Sequence, residues 1–129
     1  GLVTHAEFLG RVETSDPNIY VLKFRDPNRG EVWAIWSAHE DDGWQVTLRS
    51  QRPTGALRLK EVGGGSVMRP WGSRDWPELR EKALGVENEI SLVVGVTPWL
   101  VSGDLQGVTV ASVNRREFPE LLRGVQVLR

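Results

Sequence analysis

Short hydrophobic runs separated by turn residues make up most of the chain. Residues 19–24 and 32–36 are rich in β-branched and aromatic side chains, and the segment 26–30 between them contains Asp, Pro, Asn and Gly. This pattern predicts two strands joined by a tight turn. Residues 44–48 and 56–62 then alternate between apolar and polar positions, which is typical of strands with one buried face.

The same pattern continues along the rest of the chain and predicts an all-β fold. Further strands are predicted at residues 6–12, 90–94, 99–101, 108–110 and 125–128. Short strands at a spacing of about ten residues, with Gly and Pro between them, favour an antiparallel two-sheet β-sandwich of about eight or nine strands. The chain opens on Gly1 without an initiator Met, so we expect residues 1–129 to be a single β-sandwich domain excised from a larger multidomain protein.

One segment carries helix signals instead. Asp75 is a candidate N-cap, Pro77 fits the first turn, Glu78 follows three residues after the cap, and Gly85 ends the pattern. These residues predict one short inserted helix near residues 76–84.

Three other segments are predicted to lie outside the strands. The run of Gly at 63–65 is followed by Ser and lacks the Lys of a phosphate-binding loop, so it predicts a flexible loop. Residues 68–77 combine two Trp with two Arg and predict an irregular loop, while residues 118–124 allow one further turn of helix.

Composition and charge exclude several classes of function. The chain has 16 Lys and Arg against 17 Asp and Glu, a formal net charge of −1 and no Cys. The balance argues against a nucleic-acid partner, and the missing Cys excludes disulfides, thiolate metal sites and Cys nucleophiles. The longest apolar run, residues 90–96, falls short of the roughly 18 residues of a membrane helix, so we expect no membrane partner. The compartment stays open, with an extracytoplasmic or secreted location favoured.

Few side chains could serve catalysis or bind a metal. The two histidines are His5, near the start of the chain, and His39, in a polar segment where a solvated turn is predicted. His39, Glu40, Asp41 and Asp42 could offer an imidazole and three carboxylates to a hard cation, but their spacing matches no known calcium loop. We therefore expect no catalytic residue, no metal site and no cofactor.

The six tryptophans are the main functional signal. If Tyr20, Leu22 and Phe24 point into the core, Trp36 on the next strand does so as well, and Trp33 lies on the other side of the sheet. The candidates for a ligand or partner surface are then Trp33, Trp71, Trp76 and Trp44. The alternative for residues 68–77 is that this loop covers the protein's own core.

The order of these features resembles the C-terminal β-sandwich domain of clan A glycoside hydrolases. That family has a Y-x-x-x-F strand, a V-x-V-x-W-S strand and a closing x-P-x-Y-V strand, which are similar to residues 20–24, 32–37 and 97–101 here. The resemblance covers about residues 5–103. Trp99 and Leu100 stand where the family has an aliphatic residue and Tyr, residues 66–88 are longer than the family's turn, and residues 104–129 extend beyond its usual end.

The resemblance implies an accessory domain without catalytic residues, because in these enzymes both catalytic carboxylates lie on the (β/α)8 barrel. The implied partner is therefore the catalytic barrel of the same polypeptide, on which the domain packs and which it stabilises. The alternative is an independent carbohydrate-binding module in which Trp33, Trp71 and Trp76 form a stacking platform for a polysaccharide. The third hypothesis is that the chain is a small enzyme in its own right.

Overall fold

The structure of the protein is a computed structural model that describes residues 6–40, 43–53, 55–76, 81–84, 87–103 and 105–115. These residues contain strands and no helix. The strands are β1 (Glu7–Arg11), β2 (Ile19–Asp26), β3 (Gly30–Ser37), β4 (Trp44–Ser50), β5 (Ala56–Glu61), β6 (Ser66–Pro70), β7 (Ser73–Trp76), β8 (Glu81–Leu84), β9 (Glu89–Val94), β10 (Trp99–Gly103) and β11 (Val108–Arg115).

The strands form two sheets. The six-stranded sheet has the order β1-β2-β3-β10-β5-β6 and is antiparallel throughout. The smaller sheet has three antiparallel main strands in the order β11-β4-β9, and the short β7–β8 hairpin extends it beyond β9. The β7–β9 contact is parallel and pairs Arg74 with Ser91. The predicted all-β, two-sheet fold is confirmed, and nine strands lie outside the β7–β8 hairpin.

The hydrophobic core lies between the two sheets. Alternate side chains of each strand point inward, as the period of two in an extended chain requires. The six-stranded sheet contributes Ile19, Val21, Trp33, Ile35, Leu57, Leu59 and Val101. The smaller sheet contributes Val46, Leu48, Ile90, Leu92, Val94 and Val108, and Leu105 joins from the preceding turn.

The predicted hairpin between β2 and β3 is confirmed, and local hydrogen bonds account for it. The backbone amides of Asn28 and Arg29 donate to Oδ1 of Asp26 at 2.8 and 3.2 Å. Gly30 has a φ of +79°, which a residue with a Cβ adopts only with strain. The turn therefore fixes the register in which β2 and β3 pair from Asp26↔Gly30 to Ile19↔Ser37.

The predicted helix near residues 76–84 is wrong. Ser73–Trp76 and Glu81–Leu84 are antiparallel strands, with Trp76 opposite Glu81. Pro and Gly mark the ends of strands as readily as the ends of a helix, and a helix of two turns is marginal without other support. Backbone pairing with the edge of β9 stabilises the extended form instead.

The irregular loop predicted at residues 68–77 is also mostly strand. β6 pairs with β5 from Ala56↔Pro70 to Lys60↔Ser66, and β7 follows after a two-residue turn. The helical turn predicted at residues 118–124 and the strand predicted at residues 125–128 lie outside the described residues.

Candidate functional site

The outward-facing side of the smaller sheet is polar, although Gln45 and Thr47 on its central strand are buried. In its three main strands the positions that alternate with core residues are Gln45, Thr47, Arg49, Glu89, Ser91, Val93, Thr109, Ser112 and Asn114. Arg49 Nε donates to Glu89 Oε2 at 2.9 Å, and the hydroxyl groups of Thr47 and Ser91 are hydrogen-bonded at 3.1 Å. Only Val93 breaks the polar pattern.

The outward-facing side of the six-stranded sheet differs over β1, β2, β3 and β10, because most outward positions there are apolar, the exceptions being Arg11, Asp26 and Ser102. The apolar positions are Phe8, Tyr20, Leu22, Phe24, Val32, Ala34, Trp36 and Leu100, and we call them the apolar face. Phe8 is 58% exposed, whereas Val32 and Ala34 are nearly buried by their neighbours. Both sides of these strands are therefore hydrophobic, which is typical of strands covered on both faces.

Aromatic side chains pair across the strands of the apolar face. The rings of Tyr20 and Trp36 are stacked, with centroids 5.0 Å apart and an interplanar angle of 8°. Phe8 and Phe24 are 5.5 Å apart and tilted by 53°. The Arg11 guanidinium lies 4.3 Å from the Tyr20 ring centroid, on the β1 side, while Trp36 is on the β3 side. Both faces of the Tyr20 ring are therefore covered.

The predicted orientation of β2 and β3 is wrong. Trp33 is 1% exposed and belongs to the core, whereas Trp36 is only partly buried and lies on the apolar face. The residues expected inward, Tyr20 and Phe24, share the outward face with Trp36. Alternation could not decide the orientation, because both sides of these strands are apolar.

The four candidate tryptophans do not form one surface. Trp33 is buried, so its expected exposure is wrong. Trp44 and Trp71 are partly buried and pack against the core. For Trp71, this supports the alternative that residues 68–77 cover the protein's own core. Trp76 lies on β7, and its side chain is outside the described part of the structure. The hydrophobicity of both sides of β2 and β3 could have indicated that one side carries outward aromatic residues, but not which side.

A polar pair, Asp16 and His39, links the loop before β2 to the loop after β3. His39 Nε2 is 2.7 Å from Asp16 Oδ2, and the His39 ring stacks on Trp44 at 4.2 Å. The side chains of His39 and Asp16 are 21% and 17% exposed, so the prediction of a solvated turn at His39 is wrong. The hydrogen bond between Asp16 and His39 thus holds these two loops together at one end of the sandwich.

The pKa of Asp16 reflects these contacts. Partial burial raises the pKa of its carboxyl group, whereas hydrogen bonds from the Asn18 backbone amide and from His39, with the charge of protonated His39, lower it. The net result is a pKa below the ordinary value of 3.8. The folded chain therefore favours the ionised form of Asp16.

No cluster of three or more His, Asp or Glu in the described residues could hold a metal ion. Asp41 and Asp42, which the sequence grouped with His39, are outside those residues. In the same part of the chain, no helix has the length and apolarity needed to cross a membrane.

Comparison with protein-family models, with curated proteins and with solved structures finds no match. Function is therefore inferred from this chain's own residues. The most unusual of these form the apolar face, whose chemistry is the burial of hydrocarbon and aromatic area against another surface.

Proposed function

We propose that this chain is a non-catalytic accessory domain of a glycoside hydrolase, and that its apolar face docks on the catalytic (β/α)8 barrel of the same polypeptide. The observation that carries the proposal is the contrast between the two outer sides of the sandwich. One is polar at nearly every outward position, whereas the other presents aromatic and aliphatic side chains on four adjacent strands.

The composition of the apolar face supports a protein partner. Interface centres are enriched in Tyr, Trp and Phe and depleted in charged residues. Tyr20, Phe24 and Trp36 provide such a group, and among the described residues the charged side chain stacked on it is that of Arg11 at the β1 edge. Arg is itself common at interfaces, where its flat guanidinium can pack on an aromatic ring.

The resemblance to clan A accessory domains supports the identity of the partner. The motif residues Tyr20, Phe24 and Trp36 all lie on the apolar face. Leu100, at the position where the family has Tyr, is on the same face opposite Ala34. The segments that carry the resemblance are thus the segments that supply the proposed docking surface.

The proposal is tested by mixing this chain with the separately expressed barrel of its parent polypeptide and measuring association by analytical ultracentrifugation. Leu22 lies on β2, one of the two inner strands of the apolar face, opposite Ala34. Leu22→Lys should weaken association about tenfold or more, because it leaves a charge without a partner in an apolar contact. The matched control is Thr109→Lys, an exposed position on the outer side of β11, which should leave association unchanged.

Two results would contradict the proposal. One is equal association of the Leu22→Lys and Thr109→Lys variants, each shown to be folded by circular dichroism. The other is a parent polypeptide that contains no glycosidase barrel.

Carbohydrate binding stays the alternative prediction. It requires aromatic rings with a free face. The predicted stacking platform consists of Trp33, Trp71 and Trp76. Trp33 is buried, Trp71 packs on the core, and the side chain of Trp76 is outside the described part of the structure. The Tyr20 ring is covered on both faces. A fluorescence titration with soluble polysaccharides, repeated on Trp71→Ala, would show whether this role exists.

A further inference from the structure

A cleft of about 620 Å³ opens on the same outward side of the six-stranded sheet as the apolar face, but at its β10, β5 and β6 end, away from Tyr20 and Trp36. It is lined by the cationic side chains of Arg29, Arg58 and Lys60, by Ser66 and Ser102, and by three glycines. We call it the cationic cleft. Its volume lies within the range of about 300–1,000 Å³ that is usual for small-molecule sites.

The strand register brings these side chains together. Arg58 and Lys60 are two residues apart on β5 and therefore point to the same side of the sheet. Ser102 lies opposite Arg58 on β10, and Ser66 lies opposite Lys60 on β6. Arg29 reaches the cleft from the β2–β3 turn, which the Asp26 side chain holds in place.

The charge of the cleft is uncompensated by the side chains that the structure describes. In that part of the chain, neither Arg29, Arg58 nor Lys60 forms an ion pair, and no carboxylate lines the cleft. Like charges lining one concave surface repel each other and concentrate a positive potential there. A bound anion would relieve this repulsion and would gain charge-assisted hydrogen bonds from the guanidinium and ammonium groups.

We propose that the cationic cleft binds a small polar ligand through a carboxylate, sulfate or phosphate group. The three groups share the oxyanion that Arg and Lys recognise. The cleft is larger than a bare ion needs, so the remaining space takes the polar body of the ligand. Ser66 and Ser102 supply hydroxyl groups for hydrogen bonds, and the absence of side chains at Gly64 and Gly65 leaves the backbone open to close approach.

Isothermal titration calorimetry on the 129-residue chain at low salt tests the proposal. The probes are a galacturonic acid trimer, a sulfated disaccharide, glucose 6-phosphate and, as the neutral reference, maltotriose. We expect saturable binding of at least one charged probe, weakened by added NaCl, and none of maltotriose. The charged probe that binds most tightly identifies the oxyanion.

Variants locate the binding. The double change of Arg58→Gln and Lys60→Gln should weaken binding about tenfold or more. The control is Arg52→Gln, an exposed cation outside the cleft, which should have no effect. Gly65→Leu leaves every charge in place but fills the cleft, and it too should weaken binding. A Cβ at Gly65 has no atom within 4 Å, so the folded chain can accept it.

The proposal is overturned if no charged probe binds saturably, if maltotriose binds equally well, or if the Arg58 and Lys60 double variant retains binding. Its outcome is separate from that of the docking proposal. Leu22→Lys, on β2, should leave oxyanion binding unchanged, and Gly65→Leu, in the β5–β6 turn, should leave association with the barrel unchanged.

Discussion

Trp33 and Trp36 are three positions apart on β3 and therefore lie on opposite sides of the six-stranded sheet. Trp33 fills the core, and its indole N–H donates to Glu31 Oε2 at 2.6 Å. The Lys23 ammonium is 5.5 Å from the centroid of its ring. Trp36 instead stacks on Tyr20 at the surface. Trp33 therefore contributes to the stability of the core, whereas Trp36 is part of the apolar face.

Trp33→Ala should lower the free energy of unfolding by about 3–5 kcal/mol, the usual cost of removing a large aromatic side chain from a core. Trp36→Ala should cost clearly less, because Trp36 is only partly buried and leaves no enclosed cavity. Urea denaturation followed by circular dichroism measures both. An equal loss, or a larger loss for Trp36→Ala, would contradict the placement of Trp33 in the core.

The orientation of these residues could not be predicted from the sequence. Val32, Ala34 and Trp36 form one apolar set on β3, while Trp33 and Ile35 form another. Alternation identifies a buried side only when the other side is polar, as on β4 and β9. Where both sides are apolar, the choice depends on which side meets the second sheet, and this contact is made by residues distant in the chain.

At the scale of elements, the pair of Asp16 and His39 links the loop before β2 to the loop after β3. The pKa of Asp16 is lower in the folded chain than its ordinary value of 3.8. Its ionised form therefore contributes stability that is fully present above the unfolded pKa, and this contribution is lost as the pH falls through the folded pKa.

Asp16→Asn should therefore destabilise the protein at pH 6, and the difference from the unmodified chain should shrink as the pH falls below about 4. Urea denaturation at a series of pH values between about 6 and 2.5 measures this difference. Trp36→Ala is the control, because it removes no ionisable group and its effect should not follow the same pH dependence. A difference for Asp16→Asn that is constant down to pH 2.5 would refute the link.

The sequence predicted the elements whose signals are local. The β2–β3 hairpin followed from Asp26 and Gly30, and the structure shows the hydrogen bonds and the positive φ that these residues provide. A helix was predicted near residues 76–84 because the end signals there serve both structures. The structure has β7 and β8 instead, and β7 pairs with the edge of β9, a partner that no local pattern reveals.

At the scale of the whole molecule, the position of β10 explains both surfaces. β10 lies between β3 and β5, although it comes much later in the chain. It places Leu100 beside Ala34 on the apolar face and Ser102 beside Arg58 in the cationic cleft. The sequence could not predict that Leu100 joins the apolar face or that Arg29 and Arg58 line one cleft, because β3 and β5 lie on either side of β10 only through this late insertion.

The strand order also predicts where the backbone opens first. In the described part of the six-stranded sheet, β3 and β10 have a hydrogen-bonded neighbour on each side, whereas β1 and β6 are edge strands. Buried amides such as those of Ile35 and Val101 should exchange with solvent only when the whole sandwich unfolds, because both neighbouring strands and the core must separate to expose them.

Hydrogen exchange measured by NMR should therefore give the slowest rates in β3 and β10 and clearly faster rates for the paired amides of β1 and β6. Trp33→Ala should accelerate exchange in β3 and β10 by the factor that corresponds to its loss of global stability, since those amides open by global unfolding. The rates in β1 and β6 should change less, because local opening of an edge already exposes them. Equal protection in β1 and β3 would contradict this prediction.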